Sequence, residues 1–182
     1  MKGIIFNLAE EVIGTAHGEQ AWDEILDVAG LDGAYTSLGS YPDEDLFTLV
    51  QAAASQLGVS GADVLRTLGE GAMPLLVERF SPFFTGHDST RSFLLTLNDI
   101  IHTEVRKLYP GALVPDFGFE TVGDDGLVIR YESARKLCAL AEGFILGAAH
   151  HYEEQVAIDQ PECMHKGADR CLLHCTFSPT TA

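Results

Sequence analysis

The sequence predicts an α+β fold, in which an N-terminal helical subdomain packs on a C-terminal subdomain of helices and a small antiparallel sheet. Two observations predict it. Over the first two-thirds of the chain, apolar residues recur every three or four positions, as in amphipathic helices. After residue 110 the pattern changes to short alternating runs separated by turn residues, which is typical of strands. We expect one domain over 1–182, with the boundary between its helical part and the rest near residue 60.

Five helices are predicted before the sheet. The first two end at glycines, and Pro42 with Asp43 opens the third. Ser60 is expected to cap the fourth helix, in which two glycines and Pro74 predict a kink or a break. The fifth helix, 89–109, has the clearest apolar stripe and is expected to stop at a Pro-Gly pair.

The last third of the sequence predicts the sheet and one more helix. Alternation over 117–131 around Gly-Asp-Asp-Gly indicates a β-hairpin. A long apolar helix is expected over roughly 134–152, followed by short strands near 155–158 and 171–177. A loop that contains cysteine connects those two strands. The chain therefore ends in a small antiparallel sheet with one helix against it.

Composition and charge exclude several functions. The apolar fraction of 46% and the charged fraction of 21% are those of an ordinary globular protein. A net charge of −16 repels phosphate and anionic lipid, so we expect no nucleic-acid partner and no membrane binding. The first apolar stretch ends at Glu10 and Glu11, too early for a signal peptide, so we expect a cytoplasmic protein. Its four cysteines are then buried thiols or metal ligands rather than disulfides.

His102 is the first candidate for chemistry. It lies at the edge of the apolar stripe of the predicted helix 89–109. The ordinary interpretation is a partly buried histidine with one hydrogen bond. The alternative is a metal ligand, since imidazole is the commonest one and a histidine can hold haem iron. A single histidine cannot hold free zinc, so a macrocycle would have to supply the other ligands.

Tyr131, Ser133 and Arg135 are the second candidate. If this stretch is extended, their side chains point to the same side. Two hydroxyls and a guanidinium suit carboxylates, because arginine pairs with a carboxylate through two parallel hydrogen bonds. The alternative is a strand end at which Ser133 caps the next helix and Arg135 is solvated. Haem would need both features, an axial ligand and partners for its two propionates.

In this combination the sequence resembles the haem-nitric oxide/oxygen-binding (H-NOX) family, which includes the haem domain of soluble guanylate cyclase and stand-alone bacterial relatives. The opening MKGIIFN resembles the start of the family. His102 falls at the family's proximal ligand, and Tyr131, Ser133 and Arg135 match its propionate-binding motif 29 residues later. Pro115 matches the proline that presses on the haem and bends it. The resemblance covers essentially the whole chain and implies one haem b between the two subdomains.

The resemblance also bears on gas selectivity. Family members that hold oxygen carry a tyrosine nine residues after the first tyrosine of the motif, and this chain has Leu140 there. Ile5 and Phe144 are further apolar candidates for the distal wall, although simple helix core also explains Leu140 and Phe144. Without a hydrogen-bond donor over the iron, oxygen is not stabilised. We therefore expect binding of nitric oxide, and of carbon monoxide, with exclusion of oxygen.

The mechanism that the resemblance implies is signalling. Nitric oxide would weaken or break the bond between iron and His102, the haem would relax against Pro115 and Ile5, and the subdomains would rotate. No kinase or cyclase sequence follows, so we expect a partner in trans, either a histidine kinase or a cyclic-di-GMP enzyme. On this interpretation the protein is a sensor and not an enzyme.

The cysteines form a separate cluster. If 171–175 is a strand, Cys171 and Cys175 lie about 13 Å apart at roughly 3.3 Å per residue and cannot share one zinc ion. Cys138, Cys163 and Cys171 are therefore the better trio. The alternatives are a redox-sensitive thiol cluster and buried structural thiols.

The resemblance addresses the fourth ligand of this trio. Some H-NOX proteins hold zinc with these three cysteine positions and a histidine three residues before Cys163. This chain has Gln160 there, so His165 is the candidate fourth ligand, or the site holds no metal.

Two other functions stay open at this point. One is a haem-free, zinc-stabilised module that binds a small ligand and is held together by the region 163–175. The other is a haem peroxidase-like enzyme, which needs a distal acid and base that the sequence near Leu140 lacks. The colour of the purified protein separates the haem sensor from the zinc module, and peroxide with a reductant tests the enzyme.

Overall fold

The computed structural model describes residues 1–180, and its elements follow the predicted order. Four long helices come first: α1 (Gly3–His17), α2 (Glu19–Ala29), α3 (Asp43–Leu57) and α4 (Gly61–Arg79). A 3₁₀ turn and three short helical pieces follow: Ser81–Phe83, α5 (Thr90–Leu94), a π-helical segment (Leu97–Ile101) and α6 (His102–Leu108). The last part holds β1 (Asp116–Val122), β2 (Gly126–Glu132), α7 (Cys138–His151), β3 (Glu154–Glu162), a 3₁₀ turn (Met164–Lys166) and β4 (Cys171–Pro179).

The four strands form one antiparallel sheet in the order β1-β2-β4-β3. The hairpin that joins β1 and β2 pairs Val122 with Gly126, at the turn that the Gly-Asp-Asp-Gly sequence predicts. Side chains alternate along β4 between buried and exposed, so one face of the sheet is covered. The helix α7 contributes Ala141, Ile145 and Ala148 to the core on that face. The predicted α+β class is therefore confirmed.

Two hydrophobic cores share α4 and α7. The first core joins α1, α2 and α3 to Leu65 and Leu68 of α4 and to Leu140 of α7. The second core joins the C-terminal half of α4 to α7 and the sheet, and it includes Met73 and Ile145. The boundary near residue 60 stays a prediction, but α4 contributes to both cores. In residues 1–180, no helix combines the length and the apolar character that crossing a membrane requires.

Three predicted helices differ in the structure from what the sequence predicts, the first two of them in where they begin or are interrupted. The helix expected over 89–109 is divided into α5, the π-helical segment and α6, because the backbone changes its hydrogen-bond register before His102. The helix expected from residue 134 begins only at Cys138, since Lys136 has φ 52° and Leu137 donates its N–H to the Tyr131 hydroxyl instead of starting a helix. Ser133 therefore does not cap α7.

The break expected in the fourth helix is absent, since α4 runs through Pro74 without interruption. Proline cannot donate to the carbonyl of Glu70 one turn earlier. That carbonyl faces α7, where an ideal Cβ at Gly147 would lie only 2.7 Å from the Glu70 oxygen. Close packing against α7 thus supports α4 across the proline. The local sequence does not reveal this packing, because α7 follows about 60 residues later. The predicted cap is confirmed, because Ser60 and Asp63 form a reciprocal capping box.

Candidate functional site

A mostly apolar cavity of about 390 Å³ lies between the two cores. Its size suits a cofactor, because small-molecule sites enclose roughly 300–1,000 Å³. Residues of α1, the C-terminal half of α4, the segment 80–115, the strands β1 and β2, and α7 line it. All eight residues that the sequence predicts for haem binding line it, namely Ile5, His102, Pro115, Tyr131, Ser133, Arg135, Leu140 and Phe144.

His102 stands at the start of α6, directly after the π-helical segment. Its ring is half-buried and stacks on Phe117, with 5.6 Å between ring centroids and 24° between ring planes. Burial, together with charge repulsion from Arg106, lowers the pKa of His102 to about 4. The imidazole is therefore neutral at pH 7, which is the form that binds a metal.

Tyr131, Ser133 and Arg135 meet at the same cavity, although not as an extended strand. The strand β2 ends at Glu132 and the chain then turns. The Arg135 Nε donates to Asp43 Oδ2 at 2.8 Å, and Nη1 donates to the Leu113 carbonyl at 2.6 Å. Within residues 1–180 these are the only hydrogen-bond acceptors of the guanidinium, so its other N–H groups remain for a ligand carboxylate.

The remaining wall is apolar. Ile5 comes from α1, while Leu140 and Phe144 lie one turn apart on α7. Leu140 is 7% exposed and belongs to the first core, so it serves as both core and cavity wall. Pro115 comes from the segment before β1, the same segment that Arg135 holds through the Leu113 carbonyl.

The predicted cysteine trio also comes together. The sulfur atoms of Cys138, Cys163 and Cys171 lie within 4.8 Å of one another, and all three residues are buried. Cys163 Sγ is 4.0 Å from each of the other two. Thiolates around one tetrahedral zinc ion stand about 3.8 Å apart at Zn–S distances of about 2.3 Å, so this spacing fits a metal. Burial raises the pKa of the Cys138 thiol, and that of Cys171 to about 12.

The fourth position of this cluster is not filled by His165. That ring is exposed, and its Nε2 is 2.7 Å from the Lys136 carbonyl oxygen. Gln160 lies next to Cys138, and its Nε2 is buried without a hydrogen-bond partner among residues 1–180. Cys175 is buried elsewhere on β4 and is not part of the trio. The structure thus groups three thiols and offers an amide as the fourth neighbour.

Comparison with protein families decides what kind of domain this is. The family model described as Haem-NO-binding matches residues 2–160. The chain belongs to this family. Among solved structures, the H-NOX protein of S. oneidensis in its Fe(II)NO ligation state is 35% identical, with a TM-score of 0.91 and coverage of 98% of this chain and 99% of that chain. Comparison with the curated proteins finds no match.

Two other H-NOX structures are similar over the same extent. The NMR structure of the Shewanella oneidensis domain in its Fe(II)CO ligation state is 34% identical, with a TM-score of 0.88 and coverage of 98% and 99% of the two chains. The unliganded Fe(II) H-NOX protein of K. algicida is 24% identical with a TM-score of 0.88, covering 100% of this chain and 99% of that chain, and shows the shared fold. The present chain therefore has the H-NOX gas-sensing fold.

Three residues beside the H-NOX cavity escape prediction from the sequence. The sequence predicts only that Asp43 opens α3, yet this residue binds Arg135 across 92 residues and also pairs with the amino group of Met1 at 2.6 Å. Burial acts to raise the pKa of Asp43, but hydrogen bonds from that ammonium and from Arg135 hold it below its usual value. Asn98 and Phe117 flank His102, and no local pattern marks them, because the contacts form only when β1 packs on the segment before α6.

Proposed function

We propose that this H-NOX protein is a haem-based sensor that binds nitric oxide, and carbon monoxide, at a ferrous haem b and excludes oxygen. The observation that carries the proposal is the cavity itself. It brings a neutral imidazole and a guanidinium-hydroxyl cluster to one apolar space of cofactor size.

His102 is the residue that would ligate the iron, since its ring lines the cavity and is uncharged at neutral pH. The haem would supply a ferrous iron with one open position for a diatomic gas. Arg135, Ser133 and Tyr131 would hold its carboxylates, because they place a cation and two hydroxyls at one end of the cavity. Arg135 is already oriented for this by Asp43 and the Leu113 carbonyl.

Selectivity for nitric oxide would come from the apolar wall. Leu140, Phe144 and Ile5 carry no hydrogen-bond donor, and all three line the cavity. Bound oxygen needs such a donor because it draws negative charge from the iron, whereas nitric oxide does not. Pro115 would press on the cofactor from its own side of the cavity, as the family resemblance implies.

We further propose that the signal passes to a separate effector, a histidine kinase or a cyclic-di-GMP enzyme. Arg135 supports this proposal, since it joins α3, the segment before β1 and the turn before α7 in one group of contacts. A displacement at the cavity would reach both cores through this group. The test is addition of the candidate effector to the ferrous protein with and without nitric oxide, with effector activity as the readout.

The experiment for haem binding compares absorption spectra of the purified protein. The ferrous form should give the same spectrum under nitrogen and under air, and a new one with nitric oxide. His102→Gly should lose its pigment unless free imidazole is added, while His17→Gly, at the exposed end of α1, should keep it. Colourless wild-type protein from haem-replete cells would refute haem binding, and a stable oxygenated spectrum would refute the selectivity.

A second proposal concerns the cysteine trio, which we assign as a structural zinc site. The sulfur spacing fits one ion, and neutral thiols of raised pKa are deprotonated when a metal binds. Metal analysis should find one zinc ion per chain, lost in Cys163→Ser and kept in Cys175→Ser, which changes a buried cysteine outside the trio. Equal zinc content in both variants would contradict the assignment. A zinc-bound but colourless protein would favour the haem-free module instead.

A further inference from the structure

The orientation of the His102 ring is not explained by hydrogen bonding. A metal-bound histidine normally donates its other ring N–H to a carboxylate, a carbonyl or water, which fixes the rotation of the ring. In His102 the Nδ1 atom is buried and has no hydrogen-bond partner among residues 1–180. The ring must therefore be held by packing.

The backbone before His102 is unusual in the same place. Between Leu97 and Ile101 it forms a π-helical segment, and the His102 N–H donates to the Leu97 carbonyl five residues earlier. The wider turn changes which carbonyls are used, and the Thr103 hydroxyl donates to the Asn98 carbonyl at 3.2 Å. A π-helical turn is rare and occurs often at functional sites. Here it determines where α6 begins and hence where His102 points.

Asn98 connects this segment to the sheet. Its side-chain Nδ2 donates to the backbone carbonyl of Phe117 at 2.5 Å. Phe117 is buried on β1, and its ring is 5.6 Å from the His102 ring at an angle of 24°. The same ring is 5.6 Å from that of Tyr131, its pairing partner on β2. One phenyl ring thus contacts both the iron-ligand candidate and the first residue of the carboxylate-binding motif.

We infer that Asn98 and Phe117 are positioning residues for His102, with Asn98 fixing the π-helical segment to β1 and the Phe117 ring setting the rotation of the imidazole. This inference rests on the proposed haem-binding function. Packing replaces the usual hydrogen bond on Nδ1, so ring orientation depends on the flat face of Phe117 and not only on its volume. Mutation of residues that orient a metal ligand typically weakens metal binding about 10–100-fold.

The strand offers a matched control. Phe119 lies two residues along β1, and its ring stacks on Phe117 at 6.0 Å and 22° without stacking on His102. Replacing either phenylalanine by leucine keeps an apolar side chain and removes the flat ring. A merely structural role predicts similar effects of the two substitutions, whereas a positioning role predicts an effect at the iron only for Phe117.

The experiment measures the iron–histidine stretching band of the ferrous protein by resonance Raman spectroscopy, together with the rate of haem transfer to apomyoglobin. Phe117→Leu and Asn98→Ala should shift or broaden the band and speed haem loss about 10-fold, at the low end of the range for such residues. Phe119→Leu should match the wild type in both. Urea unfolding of each variant separates these effects from a general loss of stability.

Three results decide the outcome. A wild-type band that is absent in His102→Gly establishes the ligand, and without it the proposed function and this inference both fail. With that band present, wild-type spectra in Phe117→Leu and Asn98→Ala would overturn the inference alone. Equal shifts in Phe117→Leu and Phe119→Leu would also overturn it. Asn98→Ala keeps the test open if Phe117→Leu does not fold, because Asn98 is only half-buried.

Discussion

Gly143 on α7 lies where the backbones of α4 and α7 meet. An ideal Cβ at this position would be 2.1 Å from the Arg66 carbonyl oxygen and 2.9 Å from the Glu70 nitrogen. Real Cβ atoms essentially never approach within 3.0 Å, and both neighbours are backbone atoms that cannot rotate away. Gly143→Ala therefore requires the helices to separate by roughly 1 Å at a packed interface.

The size of the effect follows from two opposing contributions. Overpacking of a well-packed core destabilises by about 1–3 kcal/mol, and a backbone clash places this substitution at the upper end. The better helix propensity of alanine offsets about 1 kcal/mol of that. We expect a net loss of about 2 kcal/mol in the free energy of unfolding. For a domain of this length that loss lowers Tm by about 4–8 °C.

The assay is urea unfolding followed by far-UV circular dichroism, with Gly14→Ala as the control. Gly14 is also inside a helix, but nothing lies within 4 Å of an ideal Cβ there. Gly14→Ala should stabilise the protein by about 0.5–1 kcal/mol, because alanine loses less backbone entropy on folding. The two substitutions should thus have opposite signs at equal m-values. Stabilisation by Gly143→Ala similar to that of the control would refute the close-packing argument.

Three further predictions follow from the same structure. Folding lowers the pKa of the Asp43 carboxyl, so the ionised carboxylate stabilises the protein above its ordinary pKa. This stabilisation is lost as the pH falls through the pKa of the folded state. In urea unfolding between about pH 5 and 3, Asp43→Asn should therefore lose stability less steeply with falling pH than the wild type. Arg66→Ala should lower the free energy of unfolding by about 3 kcal/mol, since it leaves the buried Glu142 carboxylate without its partner at 2.9 Å. Asp63→Ala should lower it by less in the same urea assay. Leu140→Tyr should allow a stable oxygenated spectrum in air by adding a donor to the apolar wall, and an unchanged air spectrum would contradict our view of selectivity.

Periodicity and turn residues were sufficient for the order of the elements. Ser60 marks the start of α4 and the Gly-Asp-Asp-Gly sequence marks the β1–β2 turn, because capping and turn chemistry act within a few residues. Periodicity failed at the segment 97–101, where an apolar stripe continues but the hydrogen-bond register changes. It failed again before α7, where Leu137 donates to a tyrosine six residues away instead of starting a helix.

The candidate site divides in the same way. His102 and the Tyr131–Ser133–Arg135 spacing are visible in the chain, since residue type and short spacing suffice to suggest an axial ligand and a carboxylate site. The pairing of Asp43 with Arg135 is not visible, because 92 residues separate them and only the packing of α3 near the turn before α7 joins them.

By itself, the sequence predicted the class of fold, the residues that meet at the cavity and the three thiols that lie together, because propensity, charge and side-chain chemistry are local properties. Only the tertiary structure decided that Phe117 lies against His102, that Gly143 brings two backbones together, and that His165 turns away from the cysteine trio. These contacts depend on how distant elements pack, and packing is set by the shape of the whole core rather than by any stretch of the chain.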